Sequence, residues 1–339
     1  MNKGKEYTGL FRERIPLTLE NIFLLILPLL ILLILVPPPE RAVSVEKPAG
    51  TNAEPISIVV YNSDASVIDR VDLEEYLIGV VAAEMPYSFH EEALKAQAVA
   101  ARTFAVSRAR GLYGYFSEHF GADVCTDPGH CQSWISKEEF LSSRGNEQDW
   151  QRISDAVANT GNIVMTYSGE LINPLYHCNS GGATESIEAV WSRLGEVPYL
   201  KSVYSPGESM YSEFEHRTVF TWNEIQKKVK NKYADAKFEN NKESDLEVLS
   251  YSPSSRIEKI RVGSVEMAGT EFRELFQLRS TNLEFEFPDE NSVEIISKGY
   301  GHGVGMSQCG ADALAKQGYS YKEILEFYYT GISVEELRY

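Results

Sequence analysis

DLEEYLIGVVAAEMPYSFHEEALKAQAVAARTFAVSRARG, Asp72 to Gly111, reads as two helices separated by a tight break. Asp72 with Glu75 three residues on, and Ser88 with Glu91, are helix-start signatures. Pro86 cannot continue the first helix and pushes Met85 out of helical geometry. Glu84 is left in the last turn, among Val80, Val81, Ala82, Ala83 and Met85. There the negative end of the helix dipole and partial desolvation both disfavour an ionised carboxylate and raise its pKa. A carboxylic acid still protonated near neutral pH is what a general acid needs. A solvated helix-end glutamate is the plainer alternative. On the second helix, Gln97 and Arg102 stand amid Ala93, Ala96, Ala98, Ala100 and Ala101. Facing inward, either must find a partner or a ligand. A guanidinium suits a carboxylate, of the protein or of a ligand.

The 339 residues, 43% of them hydrophobic, supply a sizeable core in one large or two smaller domains. The net charge of −17 argues against a nucleic-acid partner, which needs a basic face. A groove for an anionic polymer must then be locally neutral or basic, and Lys95, Arg102 and Lys298 are the cations expected to provide that.

Asn21 to Val36 reads NIFLLILPLLILLILV. Extended back to Leu17, it is long enough to cross a bilayer. Lys3, Lys5, Arg12 and Arg14 precede it, so the positive-inside rule keeps residues 1–20 in the cytosol as a short tail. Residues 21–36 form the membrane anchor, 37–54 a proline-bearing linker, and 55–339 an exported domain. A cleaved signal peptide is the alternative, although no clear small-x-small cleavage site follows.

The expected fold is mixed α+β: an N-terminal membrane helix plus a two-lobed exported domain with a groove between the lobes. Strands are expected at 56–61, 257–262 and 282–287. A hairpin is expected from 162–167 and 171–176 about a Ser168–Gly169 turn. Helices are expected after Ser136, at 153–160, at 221–233 and at 311–329. The stretch from about 205 to 290, rich in Lys, Glu and Asn, reads as a second lobe.

Two glycine-bearing loops flank the hairpin and the last helix. GYGHGVGMSQ has glycines at 299, 301, 303 and 305 around His302, with Ser307 and Gln308 behind. NSGGAT, Asn179 to Thr184, follows Tyr176 and can present Ser180 and backbone amides. Such glycines serve either a packed bend or a close approach to a ligand. Neither loop is a phosphate cradle, because no lysine follows in place. HFGADVCTDPGHC sets His119, Cys125 and Cys131 at H-x5-C-x5-C, with His130 beside the last; imidazole and thiolate suit tetrahedral zinc. A Cys125–Cys131 disulfide is the rival in an exported domain. Pairing Cys178 or Ser307 with His302 or His177 is a nucleophilic alternative, for which the chain supplies no G-x-S-x-G elbow.

Three ordered blocks carry a resemblance. AAEMP followed by ALKAQAVAARTFA, then YHCNSGGATES with PYLKSV, then GYGHGVGMSQCGADALAKQGYSYKEILEFYYTG resemble the SpoIID/LytB domain family over roughly residues 55 to 335. The resemblance implies a peptidoglycan lytic transglycosylase with Glu84 as its single catalytic carboxylate. Gln97, Arg102, Tyr176, Ser180, His302, Ser307 and Gln308 are then expected to line the substrate groove. Some members of that family carry zinc on the H-x5-C-x5-C spacing, so His119, Cys125 and Cys131 are the implied ligands of a structural zinc, with His130 or a water completing the shell. The implied substrate is a glycan strand, preferably stripped of stem peptides. The implied partners are a peptidoglycan amidase and a multi-pass membrane protein, acting between mother cell and forespore during engulfment in endospore formation. The same family includes non-catalytic amidase enhancers, the main rival to an enzyme.

Overall fold

In the computed structural model, the described residues are 56–113, 119–239 and 241–338. The expected cytosolic tail, membrane anchor and linker lie outside them. No helix among the described residues is long and apolar enough to cross a membrane.

The strands are β1 (Ser57–Asn62), β2 (Val67–Asp72), β3 (Val124–Cys125), β4 (Ile163–Tyr167), β5 (Glu170–Leu171), β6 (Tyr176–His177), β7 (Glu215–Thr221), β8 (Leu246–Tyr251), β9 (Ile257–Val262), β10 (Val265–Ala268), β11 (Asn282–Glu286), β12 (Ser292–Lys298), β13 (Met306–Ser307) and β14 (Ser333–Glu336). The helices are α1 (Leu73–Glu84), α2 (Glu91–Ala109), α3 (Lys137–Ser143), α4 (Glu147–Ala158), α5 (Ile187–Val190), α6 (Trp222–Lys232), α7 (Lys242–Asp245), α8 (Gly269–Phe276), α9 (Gln308–Lys316) and α10 (Tyr321–Tyr328). The strands pair in small sheets of order β2-β1-β3, β14-β4-β5, β10-β9-β8 and β11-β12-β7, plus a parallel pair of β6 with β13.

The described residues form a compact unit with two hydrophobic cores. The first is built around α2, buried on nearly every side. Its alanines let α1, α4, α9, α10 and β4 pack close against it. Its buried polar residues, Gln97, Arg102, Thr103 and Ser107, have to be satisfied within that core. The second core takes Ile225, Val229, Ile260, Val262, Phe272, Phe276, Val293 and Ile295 from α6, β9, α8, β12 and their neighbours. It lies within and just beyond the 205–290 stretch.

Local chemistry explains most boundaries. Asp72 caps α1, accepting from the N–H groups of Glu74 and Glu75 at 2.9 and 3.1 Å. Met85 turns to extended geometry ahead of Pro86 and ends the helix. The second start differs from expectation. Ser88 does not cap α2; His90 does, its Nδ1 accepting from the Glu92 N–H at 3.3 Å. The main chain of His90 is pinned by Asp312 Oδ1 at 2.6 Å, and this long-range bond sets where α2 begins. The expected 311–329 helix is two helices, α9 and α10, broken at Gly318, where φ is +95°. The expected hairpin pairs β4 with β5 only at Thr166 and Tyr167, and Tyr176 leaves to pair with Met306.

Candidate active site and metal centre

Glu84 lies partly exposed on the floor of a cavity of about 520 Å³, a size usual for ligand sites. Its walls come from Phe104, from Pro128, Cys131 and Gln132, from Pro174 to Cys178, from Tyr300 to His302, and from Gln308. None comes from 205–290, so the Glu84 cavity is not bounded by that second lobe. Glu84 is the only carboxylate among the described residues that line the cavity.

Two donors hold the carboxylate. The main-chain N–H of Ser133 reaches Oε1 at 2.7 Å, and the Gln308 amide reaches Oε2 at 3.3 Å. Burial raises the Glu84 pKa above the ordinary carboxylate value, while Ser133, Gln308 and the Arg144 charge pull it back. The helix end matters less than its sequence position suggests, because Arg144 donates to the terminal carbonyls of Ala82 and Ala83 at 3.2 and 2.9 Å. Gln308 also donates to Gln97 Oε1 at 3.5 Å. Tyr176 donates to Gln132 Oε1 at 2.8 Å, and burial lifts its pKa well above the phenol range. His302 accepts the Val304 N–H on Nδ1 at 3.0 Å, which leaves the ring proton on Nε2. Burial, then the charges of Arg273 and Arg256, push its pKa down to about 4, so the imidazole is neutral. Its ring contacts His177 and Trp191.

Glu84, Tyr176, His302 and Gln308 therefore meet at one cavity, with Gln97 directly behind Gln308. Three expected groove residues stand elsewhere. Arg102 is fully buried: Nε and Nη2 clasp Glu74 at 3.0 and 2.8 Å, and Nη1 donates to the Thr160 carbonyl at 2.7 Å. Five residues from Gln97, it is turned about 140° around the helix and faces α4 rather than the cavity. Ser180 and Ser307 are buried hydroxyls that both donate to Glu208. This also removes Ser307 as a nucleophile. The cations expected to make the groove basic are occupied too, Lys95 with Glu91 and Glu92, and Lys298 with Glu284.

Sequence reasoning missed Glu208. Its carboxylate also accepts from the main-chain N–H groups of Ser180 and Gly182 at 3.1 and 2.8 Å and from Ser205 at 3.1 Å. Through Ser307, the N-cap of α9, it ties the NSGG loop to the helix that carries Gln308. An isolated glutamate in SPGES carries no local signal for this. It also missed Ser133, whose contribution is a main-chain group. The glycines of GYGHGVG all have positive φ. A Cβ at Gly305 would stand 2.0 Å from the Leu175 carbonyl, so only glycine lets this loop lie along the strand leading to Tyr176.

The four groups His119, Cys125, His130 and Cys131 converge, their ligand atoms all within 4.8 Å of one another. Cys131 Sγ is 3.3 Å from His119 Nε2, His119 Nε2 is 3.2 Å from His130 Nδ1, and Cys125 Sγ is 3.6 Å from His130 Nδ1. Zn–N and Zn–S bond lengths imply tetrahedron edges of about 3.3–3.8 Å, so this donor set fits zinc with His130 as fourth ligand. His130 Nε2 faces Asp127 Oδ2 at 3.8 Å, and the Asp127 N–H points to Cys125 Sγ at 3.3 Å, the kind of outer support that steadies metal ligands. Both cysteines are thiols here.

A model of the SpoIID family, described as stage II sporulation protein, matches residues 61–167. The chain is 33% identical over 304 residues to stage II sporulation protein D of Bacillus subtilis (strain 168), covering 88% of this chain and 85% of that one. It is 34% identical over 284 residues to stage II sporulation protein D of Bacillus amyloliquefaciens, covering 83% and 79%. It is also 28% identical to the amidase enhancer of Bacillus subtilis (strain 168), over 76% of this chain and 40% of that one. The chain belongs to the SpoIID family of sporulation proteins.

Proposed function

We propose that this chain is a peptidoglycan lytic transglycosylase of endospore formation, with Glu84 as its single acid and base. The observation that carries the reading is the lone carboxylate among the described residues lining the cavity, its pKa raised by burial, held by one main-chain and one amide donor. A lysozyme-type hydrolase needs two carboxylates across the scissile bond. One suffices when the sugar's own hydroxyl replaces water.

Glu84 first gives its proton to the glycosidic oxygen between N-acetylmuramic acid and N-acetylglucosamine. The Ser133 N–H and Gln308 amide stabilise the carboxylate so formed. The same carboxylate then takes the proton of the muramic 6-hydroxyl as that oxygen attacks the anomeric carbon. The product is a 1,6-anhydro-muramic end, and Glu84 is again protonated. Tyr176 and the neutral His302 supply polar contacts for the sugar from the walls. His119, Cys125, Cys131 and His130 would hold a zinc whose part would be structural, steadying the turn that runs through Cys131 to Ser133.

The setting proposed with this reading is a single-pass membrane protein, anchored at residues 21–36, with its catalytic domain between mother cell and forespore. There it works on glycan strands alongside a peptidoglycan amidase and a multi-pass membrane protein. The likeness to an amidase enhancer supplies the contrasting outcome. Purified glycan strands are incubated with wild type and with Glu84→Gln, with and without an amidase. Cleavage by wild type alone supports the enzyme. Equal stimulation of the amidase by both proteins, with no glycan cleaved, overturns it.

A further inference from the structure

Cys178 and Cys309 lie outside the zinc cluster and take no part in the chemistry proposed for Glu84. β6 and β13 run parallel in the register Tyr176–Met306 and His177–Ser307. Just beyond this pair, the Cys309 N–H donates to the Cys178 carbonyl at 2.9 Å. That bond brings the two backbones to the spacing of neighbouring strands, about 4.7–4.9 Å. Disulfides bridge Cα separations of about 4.4–6.8 Å. The two side chains are close enough to interact, the Cys309 thiol serving as donor to a Cys178 thiolate.

The two sulfurs differ in access. Cys178 is partly exposed on the wall of the Glu84 cavity, whereas Cys309 is buried in the first turn of α9. The hydrogen bond from Cys309, helped by the charge of Arg279, holds the Cys178 thiol below its ordinary range and leaves the proton with Cys309. An accessible, easily ionised thiol backed by a buried second thiol is the arrangement that attacks an external disulfide and is then resolved internally.

We propose that Cys178 and Cys309 form a disulfide that staples the cavity-wall strand bearing Tyr176 to the helix bearing Gln308. The oxidant is a disulfide donor. The Cys178 thiolate attacks one donor sulfur and expels the other as a thiolate, leaving a mixed disulfide. Cys309 then loses its proton to that leaving thiolate and attacks Cys178 Sγ, expelling the second donor thiolate. The proton released when Cys178 ionised neutralises that one. Two protein thiols are oxidised, and one donor disulfide is reduced to two thiols. The new bond closes a loop of roughly 130 residues and holds Gln308, the amide on Glu84, against the strand opposite.

The test uses the full chain in detergent, treated with oxidised glutathione, alkylated under denaturing conditions and digested for mass spectrometry. A joined peptide pair containing Cys178 and Cys309, lighter by two hydrogens than the separate peptides, is expected. It should persist in Cys125→Ser/Cys131→Ser. The thermal midpoint should rise by roughly 5–10 °C over the dithiothreitol-treated protein, a rise absent in Cys178→Ser. Recovery of Cys178 and Cys309 from wild type as separate alkylated or glutathionylated thiols overturns the proposal. The bond itself is the readout, so an absence of glycan cleavage has no bearing on it.

Discussion

The main-chain N–H of Ser133 stands 2.7 Å from Oε1 of Glu84, and Ser133 is two residues beyond Cys131. The proposed acid and the proposed metal centre are therefore joined by one short stretch of backbone. Gln132, between them, receives the Tyr176 hydroxyl, so the same stretch sets a cavity wall as well. A metal that never touches substrate can act on catalysis through this link.

Metal removal follows from that link. The protein as purified should carry one zinc, lost in Cys131→Ser. A strong chelator should lower both the thermal midpoint and glycan cleavage, and restored zinc should recover both. Metal analysis beside an activity assay checks this. Full activity in verified metal-free protein contradicts a role for the cluster in holding Ser133.

The pH behaviour of Glu84 has a definite sign. Burial raises its folded-state pKa above the ordinary 4.5. A general acid works while protonated, so kcat should fall as pH rises through the raised value. For stability, the folded form binds more protons than the unfolded form between 4.5 and that value. The contribution of Glu84 is thus fully present below 4.5 and is lost as pH rises through the folded pKa. Glu84→Gln cannot ionise, so its thermal midpoint should gain on wild type as pH rises across this window. Calorimetry of both proteins from pH 4 to 8 shows whether the gap opens; a gap constant with pH contradicts the burial of an ionisable acid.

Arg102 serves the fold. Removing it strips Glu74 of its partner and leaves the carbonyls of Val157 and Thr160 without their buried donor. Glu74 is about two-fifths exposed, so its ion pair is screened, and the cost comes mainly from the buried carbonyls left without a donor, about 1–3 kcal/mol. Arg102→Ala should show that loss in urea unfolding, with KM for glycan unchanged at temperatures where it remains folded. A raised KM with stability intact returns Arg102 to the groove.

Gly79 on α1 is where Trp134 closes over the helix. A Cβ there would meet Trp134 Nε1 at 2.2 Å and the Ile135 carbonyl at 2.7 Å. Gly79→Ala should cost about 1–3 kcal/mol from overpacking, despite the better helix propensity of alanine. Displacing Trp134 also displaces Ser133, so activity should drop with stability. Chemical denaturation and initial rates on one preparation check both.

What the sequence makes legible is local. Asp72, Pro86 and the run of alanines place α1, the break and α2, because caps and breakers act within a few residues. Thr221 and Ser136 likewise start α6 and α3 where expected. What it conceals is long-range. The start of α2 is set by Asp312, far along the chain, so Ser88 misleads. Arg102 and Gln97 look alike in a list of polar residues on one helix, and only packing separates the one that faces α4 from the one behind Gln308. Glu208 and Ser133 act through contacts that no spacing predicts. Lys95 and Lys298 are bound by acidic neighbours, a choice among the many carboxylates of a chain with net charge −17.

The central claim is that one carboxylate cleaves the strand without water. Glycan strands digested by the wild-type protein in H2 18O test it most directly, with the new muramic ends read by mass spectrometry. The account predicts anhydro ends free of the heavy isotope, abolished by Glu84→Gln. Reducing ends that carry 18O would show hydrolysis, and with it a second activating group that this account does not contain.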